Sequence, residues 1–535
     1  MKWVLAGIAT VVLLTAVAIA VLPRLVDVPR VQALIASNAS HALGRPVRFA
    51  SISVSVFPLP GVTLHQLEVA EDPQFGAKPF LTLDRGRLRL RLRPLLGGRL
   101  EFAELALAKP VITVVRDARG RLNVATLGAT GETRAASRPG RGGAATSGPA
   151  ALALPGIVKV SDGVLVYEAH GAAPAAYRVE RLDLVLDAAG PQIAFKGSAH
   201  VMPGDLALKF SDGIVTITPG QPLTAAPVRA NVTLESGDVG PLAASAAGPA
   251  LGIGGALKGA LALAGTVGAP TASGEITLSK LTVARTNPHC PEPRRRTLTV
   301  PSLTLKAAWR GASFSAQPMQ AELAKGTVTA RLTADLEHGA RVRLDDLAVK
   351  ALPLESVLVD FLCQGYAVTG PLDLAGGLAF TTARPLDTLS GPGSFKIGAG
   401  KIVGRDALQL IGNVVRVGGT ISSLLNADLP PALFSSPVEF DSITGTYRIT
   451  DGIATTRDLL YTSRAMKVGV AGDYVLASGA MNLDMVVNHG RGEVRAKVTG
   501  TSGSPSIRIV PSSVLRGIDQ EKVEGGLRDL LKRFR

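Results

Sequence analysis

The chain has 535 residues, of which 46% are hydrophobic and 4% aromatic, and it carries a formal charge of +15. This length and apolar content can bury more than one core, so two or more domains are expected. The positive charge suits anionic lipid headgroups or acidic glycans, whereas sparse aromatic residues and the lack of any nucleic-acid motif exclude nucleic acid as a partner.

The first element is an apolar segment that runs from Val4 to Leu22 without a charged side chain. At about 1.5 Å per residue, a helix of this length approaches the roughly 30 Å of a bilayer's hydrocarbon core. Residues 1–26 are therefore predicted to be a transmembrane anchor, with the body outside the cytoplasm because large domains cross largely regardless of flanking charges. A cleaved secretory signal is the alternative, although its apolar core is normally shorter. Four residues represent the anchor: Val4, Leu13, Leu14 and Leu22.

The next segment, Asp27 to Leu43, has apolar residues at helical spacing, with Pro29 in its first turn and Gly44 after its end. This pattern predicts a short amphipathic helix whose apolar face packs on the following sheet or docks on the bilayer. From residue 47 onward apolar residues recur with a period of two, which predicts strands with one apolar and one polar face.

The phase of this alternation slips twice, between Phe49 and Ile52 and between Leu64 and Leu67. Such slips indicate bulges that bend a sheet. Residues 128–149 consist of Gly, Ala, Ser, Thr, Arg and Pro with a single acid, so they are predicted to be a disordered linker or a long loop.

The remaining chain shows weak internal repetition. Asp-Gly pairs that begin at Asp162, Asp212 and Asp451 stand beside alternating residues and are strong hairpin signals. Two similar stretches, which begin at Gly240 and Leu352, predict a short helix that crosses onto a glycine-punctuated strand. Repetition of this kind favours an extended, stacked β structure over a compact sandwich.

The C-terminal residues 512–535 return to helical spacing, with basic residues around an apolar face. The apolar stripe consists of Leu527, Leu530, Leu531 and Phe534. A basic amphipathic helix of this kind lies on an anionic membrane or caps the open end of a sheet.

Residues with catalytic or metal-binding chemistry are sparse. The seven histidines lack metal-ligand spacing, and neither a nucleophile elbow nor a phosphate-binding loop occurs. We therefore expect no cofactor, no metal and no enzymatic activity, with a glycosidase-like carboxylate pair as the alternative. Cys290 and Cys363 are interpreted as two unrelated cysteines, although one bridge between them in an oxidising compartment is the alternative.

Several motifs after the predicted helix, taken in order, resemble the start of the AsmA family. They are Leu43-Gly44-Arg45-Pro46-Val47, SVFPLPGVTLHQLEV, EDPQFG, Pro94-Leu95-Leu96-Gly97 and an Arg-Asp-x-x-Gly-x-x-Asn turn at residues 116–123. Val124 stands where the family often has an aromatic residue. Stretches between Gly391 and Leu476 also resemble the family's terminal β module, so the likeness covers residues 1–127 and 352–511.

The resemblance implies a bacterial inner-membrane protein that faces the periplasm and is related to bridge-like lipid transfer proteins. The implied fold is mainly β: one N-terminal transmembrane helix is followed by an extended curled antiparallel β-sheet groove with a few short helices. The implied function is non-enzymatic phospholipid transport between inner and outer membrane, or outer-membrane lipid homeostasis, with acyl chains shielded in the groove. A periplasmic scaffold that assists outer-membrane protein assembly is the alternative. The expected partners are phospholipids, the inner membrane and a protein of the periplasm or outer membrane.

The resemblance and the composition together divide the chain into six parts. These are the anchor at 1–26, a chorein-like module at 27–127, the linker at 128–149, a repeated β-groove segment at 150–350, a C-terminal β module at 351–511 and the basic helix at 512–535. Apolar residues of the first strands are the candidates for lining the groove: Ile52, Val54, Val56, Leu88, Leu90 and Leu92. The alternative for these is an ordinary core beneath a covering helix. Arginines on the opposite face are the headgroup candidates, and a solvated face paired with acidic neighbours is their alternative: Arg87, Arg89, Arg91 and Arg93.

Overall fold

A computed structural model describes residues 28–55, 61–91, 102–127, 156–169, 178–218, 220–247, 252–288, 290–336, 341–363, 367–403, 438–464, 466–489, 492–502 and 504–509. Three predicted elements lie outside these ranges: the anchor at 1–26, the linker at 128–149 and the C-terminal helix at 512–535. Within the described ranges, no helix combines the length and the apolar character that a membrane crossing requires.

The fold is mainly β with a few short helices, as predicted. The chain forms two compact units. Unit 1 comprises Met1–Ala246 and Leu257–Gly274, and unit 2 comprises Ala247–Ala256 and Glu275–Arg535.

Unit 1 begins with the helix Val28–Leu43. Its strands are β1 (Val47–Ser55), β2 (Gly61–Val69), β3 (Leu81–Leu90), β4 (Phe102–Ala108), β5 (Val111–Arg116), β6 (Ile157–Ala169), β7 (Arg178–Ala189), β8 (Gln192–Met202), β9 (Leu206–Thr216) and β10 (Val228–Ser236), with β11 (Gly252–Thr266) next to β10. Short 3₁₀ helices lie at Asn123–Thr126 and Leu223–Ala225, and an α-helix at Gly240–Ala247 precedes β11.

The sheet of unit 1 is mixed, which corrects the prediction of an antiparallel sheet. Strand β6 pairs in parallel with both β4 and β5, while the other strand pairs of the unit run antiparallel. Strands β4 and β5 both pair with β3 and lie end to end along it. They are separated at Lys109, whose φ is 51°. The parallel pairing of β6 is possible because the chain between β5 and β6 is long. Parallel neighbours need a crossover of a dozen residues or more.

The two predicted slips in β1 and β2 are not bulges. Phe49 pairs with Leu67 and Ser51 pairs with His65, so the register is continuous and no residue is inserted. Instead, Gln66 takes a left-handed conformation with φ 51°. The buried positions of β1 therefore change from odd-numbered to even-numbered residues, while the pairing register with β2 stays the same.

Two of the three Asp-Gly pairs lie inside strands, which corrects the hairpin prediction for them. Asp162 in β6 and Asp212 in β9 both have φ 52°, and the ladders shift register beside them. The Asp162 N–H donates to Asp183 Oδ1 at 3.0 Å across the bulge in β6. Only the pair at Asp451 closes a hairpin, with φ 46°. An aspartate that tolerates positive φ serves a bulge as well as a turn, and long neighbouring strands select the bulge.

The strand β12 (Ala269–Thr286) precedes the strands of unit 2. These are β13 (Arg295–Arg310), β14 (Ser313–Leu323), β15 (Gly326–Asp335), β16 (Arg341–Pro353), β17 (Pro371–Thr381), β18 (Gly391–Ile397), β19 (Gly400–Ile402), β20 (Val438–Phe440), β21 (Ser442–Thr450), β22 (Ile453–Thr462), β23 (Lys467–Val475), β24 (Ala480–His489), β25 (Gly492–Thr501) and β26 (Ser504–Ile509). A π-helical segment, Glu355–Phe361, precedes β17, and a short helix lies at Pro385–Thr388. The described pairings of unit 2 are antiparallel: β13 to β18 follow chain order, β18 pairs with β21, and β21 to β26 follow again. The prediction of a short helix before a strand is confirmed at Gly240–Ala247 and at Glu355–Phe361.

The first core of unit 1 lies between β1–β3 and the helix Val28–Leu43. Buried residues of the three strands include Phe49, Leu64 and Leu83, and Ile35 and Leu43 of the helix pack against them. The helix therefore covers the sheet, which confirms sheet packing of its apolar face.

Candidate functional site

The structure places the predicted groove residues of β1 and β3 in this same core. Ile52 and Leu88 are each 8% exposed, and the half-buried Val54 packs against them. Leu90 ends β3, and its side chain lies outside the described part of the structure. Val56 and Leu92 lie outside the described residues. The role of this face in holding acyl chains stays a prediction.

The predicted arginine row is only partly described. Arg87 and Arg91 are exposed, whereas Arg93 lies outside the described ranges. Arg89 is half-buried, and its Nη1 donates to Glu104 Oε2 at 3.2 Å on the neighbouring strand. Lys159 Nζ also forms an ion pair with Glu104 Oε1 at 3.1 Å. The pairing of Arg89 matches the alternative of a face with acidic neighbours, and headgroup binding by the row stays a prediction.

Three motifs that carry the family resemblance meet in one buried polar cluster. Arg45 Nη1 lies 2.8 Å from Glu71 Oε1, and both side chains are 2% exposed. Arg45 Nη2 donates to the Asn123 carbonyl at 2.6 Å, and Asn123 Nδ2 donates to Glu71 Oε2 at 2.5 Å. The Arg45 guanidinium also lies over the Phe80 ring, 4.7 Å from its centroid. We name Arg45, Glu71 and Asn123 the polar cluster.

The polar cluster joins separate parts of unit 1. Arg45 follows the helix Val28–Leu43, Glu71 follows β2, and Asn123 begins a 3₁₀ helix after β5. Burial lowers the pKa of Arg45, and the nearby Glu71 and Asp72 carboxylates oppose that shift. A buried guanidinium of this kind is stable only with its partners, so the cluster fixes how these parts join.

A second arrangement, in unit 2, consists of apolar residues that face each other across successive strands. The register aligns one such row on eight strands: Leu352, Leu372, Ile397, Ile443, Tyr461, Val468, Val487 and Val494. At about 4.8 Å between strands, this row extends over roughly 34 Å. Half of a bilayer's hydrocarbon core is about 15 Å, so the row is longer than the reach of one leaflet.

A parallel row lies two residues away along β17 to β25, three residues away on β16 where the register shifts, and continues onto β26. It contains Val349, Leu374, Phe395, Leu459, Val470, Met485, Ala496 and Ile509. On β21 this row has Gly445, where an added Cβ would lie 3.0 Å from the Leu459 Cα. We name the two rows the apolar floor.

The two rows of the apolar floor differ in burial. Most described side chains of the first row are buried, including Ile397, Tyr461 and Val468. Most described side chains of the second row, including Leu374 and Phe395, are half-buried, whereas Val349 and Ala496 are buried. The opposite face of these strands is polar, with exposed charges at Lys350, Asp373 and Lys396.

The helical segment Glu355–Phe361 packs on the apolar floor. Leu354 and Leu358 contact the cluster around Ile397, and Val357 contacts the cluster around Val349. The segment therefore covers one end of the floor.

A disulfide holds this covering segment at its C-terminal end. Cys290 and Cys363 are bonded, with their Cα atoms 5.5 Å apart, which corrects the interpretation of two unrelated cysteines. Asn287 Nδ2 also donates to the Leu362 carbonyl at 3.1 Å. The loop between β12 and β13 is thereby fixed to the end of the covering segment.

Titratable side chains are rarely buried among the described residues. Among them, Glu71 is the one buried carboxylate, and Arg45 pairs with it. No group of three or more His, Cys, Asp or Glu in those ranges is arranged to hold a metal ion. Sequence reasoning missed the apolar floor because alternation gives the face of each residue but not its cross-strand partner. The alternating stretch from Phe440 to Leu476 was the available signal.

A family model described as the AsmA family matches residues 1–243. This match confirms the resemblance at the N-terminal motifs, whereas the likeness of residues 352–511 stays a prediction. No curated protein and no solved structure matches the chain.

Proposed function

Because residues 1–243 match the AsmA family model, we propose that this protein transports phospholipids between the inner and outer membranes or maintains the lipid of the outer membrane. It acts without enzymatic chemistry, and acyl chains lie on the apolar floor. The observation that carries the proposal is the first apolar row, which continues across eight strands of unit 2 and has the second row beside it.

The half-buried second row supports the proposal energetically. Removing a CH₂ group from water contributes about 0.8 kcal/mol, so an acyl chain gains several kcal/mol on such a surface. When an acyl chain binds, the floor also buries apolar area that is exposed without it, at Leu374, Phe395 and Met485. The polar opposite face stays in water, which keeps the strands one-sided.

The proposed location is the inner membrane, with Val4 to Leu22 as a single span and the bulk in the periplasm. The disulfide between Cys290 and Cys363 supports an oxidising compartment, since disulfides persist there and are rare in the cytosol. The charge of +15 supports contact with anionic headgroups.

The test is photocrosslinking from the apolar floor in living cells. A benzophenone amino acid at Phe395 is expected to trap phospholipid, whereas the same group at Lys396 faces the polar side and serves as the control. Trapping of polypeptide at Phe395 in place of lipid would contradict transport and support the scaffold alternative.

A matched pair of charge substitutions tests the same surface by function. Leu374→Glu places a carboxylate on the floor and is expected to abolish bound lipid, while Ala375→Glu lies on the exposed face of the same strand. Equal lipid content in the two folded variants, measured by mass spectrometry, would refute the proposed floor.

A further inference from the structure

Several hairpins of unit 2 turn at the same end of its strands, and this end forms one edge of the sheet. Arg310 pairs with Ser313, Ser313 with Asp335, and Asp335 with Arg341. Arg341 pairs in turn with Thr381, which places the next hairpin on the same edge.

The edge continues to the β21–β22 hairpin. Ala379 bridges to Ser390, and the Asp451 N–H donates to Ser390 Oγ at 3.0 Å. We name the described residues 309–313, 335–336, 341, 381–390 and 450–453 the hairpin rim.

The hairpin rim carries four exposed large apolar side chains. Their exposed fractions are 49% for Trp309, 47% for Leu336, 52% for Leu386 and 42% for Ile453. Elsewhere in the described ranges, four others are scattered over both units: Val111, Leu223, Val403 and Leu460. Four of the eight exposed large apolar side chains of the described ranges thus lie along the hairpin rim, which makes it the candidate interaction surface.

Trp309 is arranged with its polar atom satisfied and its ring outward. Its Nε1–H donates to the Gly311 carbonyl in the turn, and Phe314 meets the ring edge-on at 6.3 Å. The chain has two tryptophans, and the other, Trp3, adjoins the predicted anchor. Tryptophan is the residue type most typical of membrane interfaces, where one side is apolar and the other is wet.

We propose that the hairpin rim inserts into the headgroup layer of a phospholipid bilayer. The apolar side chains occupy separate hairpins, and successive hairpins are about 10 Å apart since each adds two strands at about 4.8 Å. Energetic hot spots of protein interfaces instead cluster at one centre, so the linear spacing favours a bilayer surface. Each apolar group enters the interface independently.

The charges of the rim indicate that it binds the bilayer by burying apolar side chains and not by electrostatic attraction. Its described residues include three arginines and three aspartates: Arg310, Arg341, Arg384, Asp335, Asp387 and Asp451. The balanced rim gains little from anionic lipid, so docking depends on apolar burial and changes little with salt. This inference goes beyond transport, because docking needs no lipid on the apolar floor.

The test uses full-length protein with Trp3→Phe, which leaves Trp309 as the single tryptophan. The protein is reconstituted in phosphatidylcholine nanodiscs, and lipids with brominated acyl chains are placed either in the disc or in added phosphatidylcholine vesicles. Trp309 emission is expected to lose intensity and shift to shorter wavelength in one arm, also at high salt. Quenching in the disc arm assigns docking to the anchoring membrane, and quenching in the vesicle arm assigns it to a second membrane.

A triple variant, Leu336→Ser, Leu386→Ser and Ile453→Ser, is expected to lose the quenching. Leu460→Ser is the matched control, because Leu460 is 40% exposed away from the rim. Unquenched Trp309 in both arms would overturn the proposal, as would equal quenching of the triple variant and the control. Shielding of Trp309 by lipid-free periplasmic extract alone would also overturn it and assign the rim to a protein. Crosslinking at Phe395 reports separately on the apolar floor.

Discussion

Replacing Arg45 by methionine breaks the polar cluster at its centre. Methionine keeps much of the length of the arginine stem but removes the charge that faces Glu71 at 2.8 Å. Glu71 then stays buried without its cation, and Asn123 loses the guanidinium bond to its carbonyl. Since the Glu71 side chain is 2% exposed and Asn123 is fully buried, water cannot replace the lost partner.

The expected cost is set by the buried charge that remains. Removal of one partner of a buried ion pair costs about 3–5 kcal/mol. The double variant Arg45→Met with Glu71→Leu removes both charges, but Asn123 Nδ2 then keeps only its bond to the Thr113 carbonyl at 2.8 Å. We expect the double variant to lose about 1–3 kcal/mol, less than the single variant.

Hydrogen exchange measured by mass spectrometry reads the effect on β1–β5. The single variant should lower the free energy of opening of these strands, and the double variant should recover part of it. Arg48→Met is the matched control, because Arg48 is exposed on β1, three residues after Arg45. The reasoning is refuted if Arg45→Met changes protection no more than Arg48→Met, or if the double variant is less stable than the single one.

Three further predictions concern other contacts. Replacing Cys290 and Cys363 by serine opens a loop with a sequence separation of 73 residues, so unit 2 should lose about 4 kcal/mol against chemical denaturation; an unchanged midpoint would contradict this. An added Cβ at Gly213 would lie 2.6 Å from the Phe195 ring; Gly213→Ala should therefore cost about 1–3 kcal/mol in thermal unfolding, whereas Gly237→Ala, in open space, should not. Hydrogen bonds from Thr446 lower the pKa of Asp458 below its ordinary value of 3.8. The stability from this lowered pKa is fully present above the ordinary value and is lost as pH falls through the lowered one. An Asp458→Asn variant should show a flatter pH profile of unfolding, and identical profiles would exclude the linkage.

The alternation of residues such as Ile443 and Val468 predicted strands because burial of one face needs only the local pattern. The pairing of β6 with β4 and β5 could not be predicted, since it depends on where the chain returns after residue 127. The Asp-Gly pairs at Asp162 and Asp212 show the same limit: the local signal is that of a turn, and the neighbouring strands make it a bulge. Tertiary pairing decides in both cases.

The candidate site was predicted in part. Arg45, Glu71 and Asn123 belong to motifs that the sequence analysis noticed, but nothing in their spacing shows that they meet. The apolar floor has a similar origin, because each residue's face follows from alternation while its row follows from the register. The bond between Cys290 and Cys363 depends on the covering segment, whose helical spacing was recognised without its position.

The place of Arg45 in the chain gives the polar cluster a mechanical consequence. Ser40, in the last turn of the helix Val28–Leu43, accepts the Arg45 N–H at its carbonyl and the Val47 N–H at its hydroxyl. Tension applied at the start of this helix therefore reaches Arg45 and the first residue of β1 together. Glu71 and Asn123 share the force on Arg45 with the chain after β2 and β5, so the pull is spread over the sheet instead of separating its first strand alone.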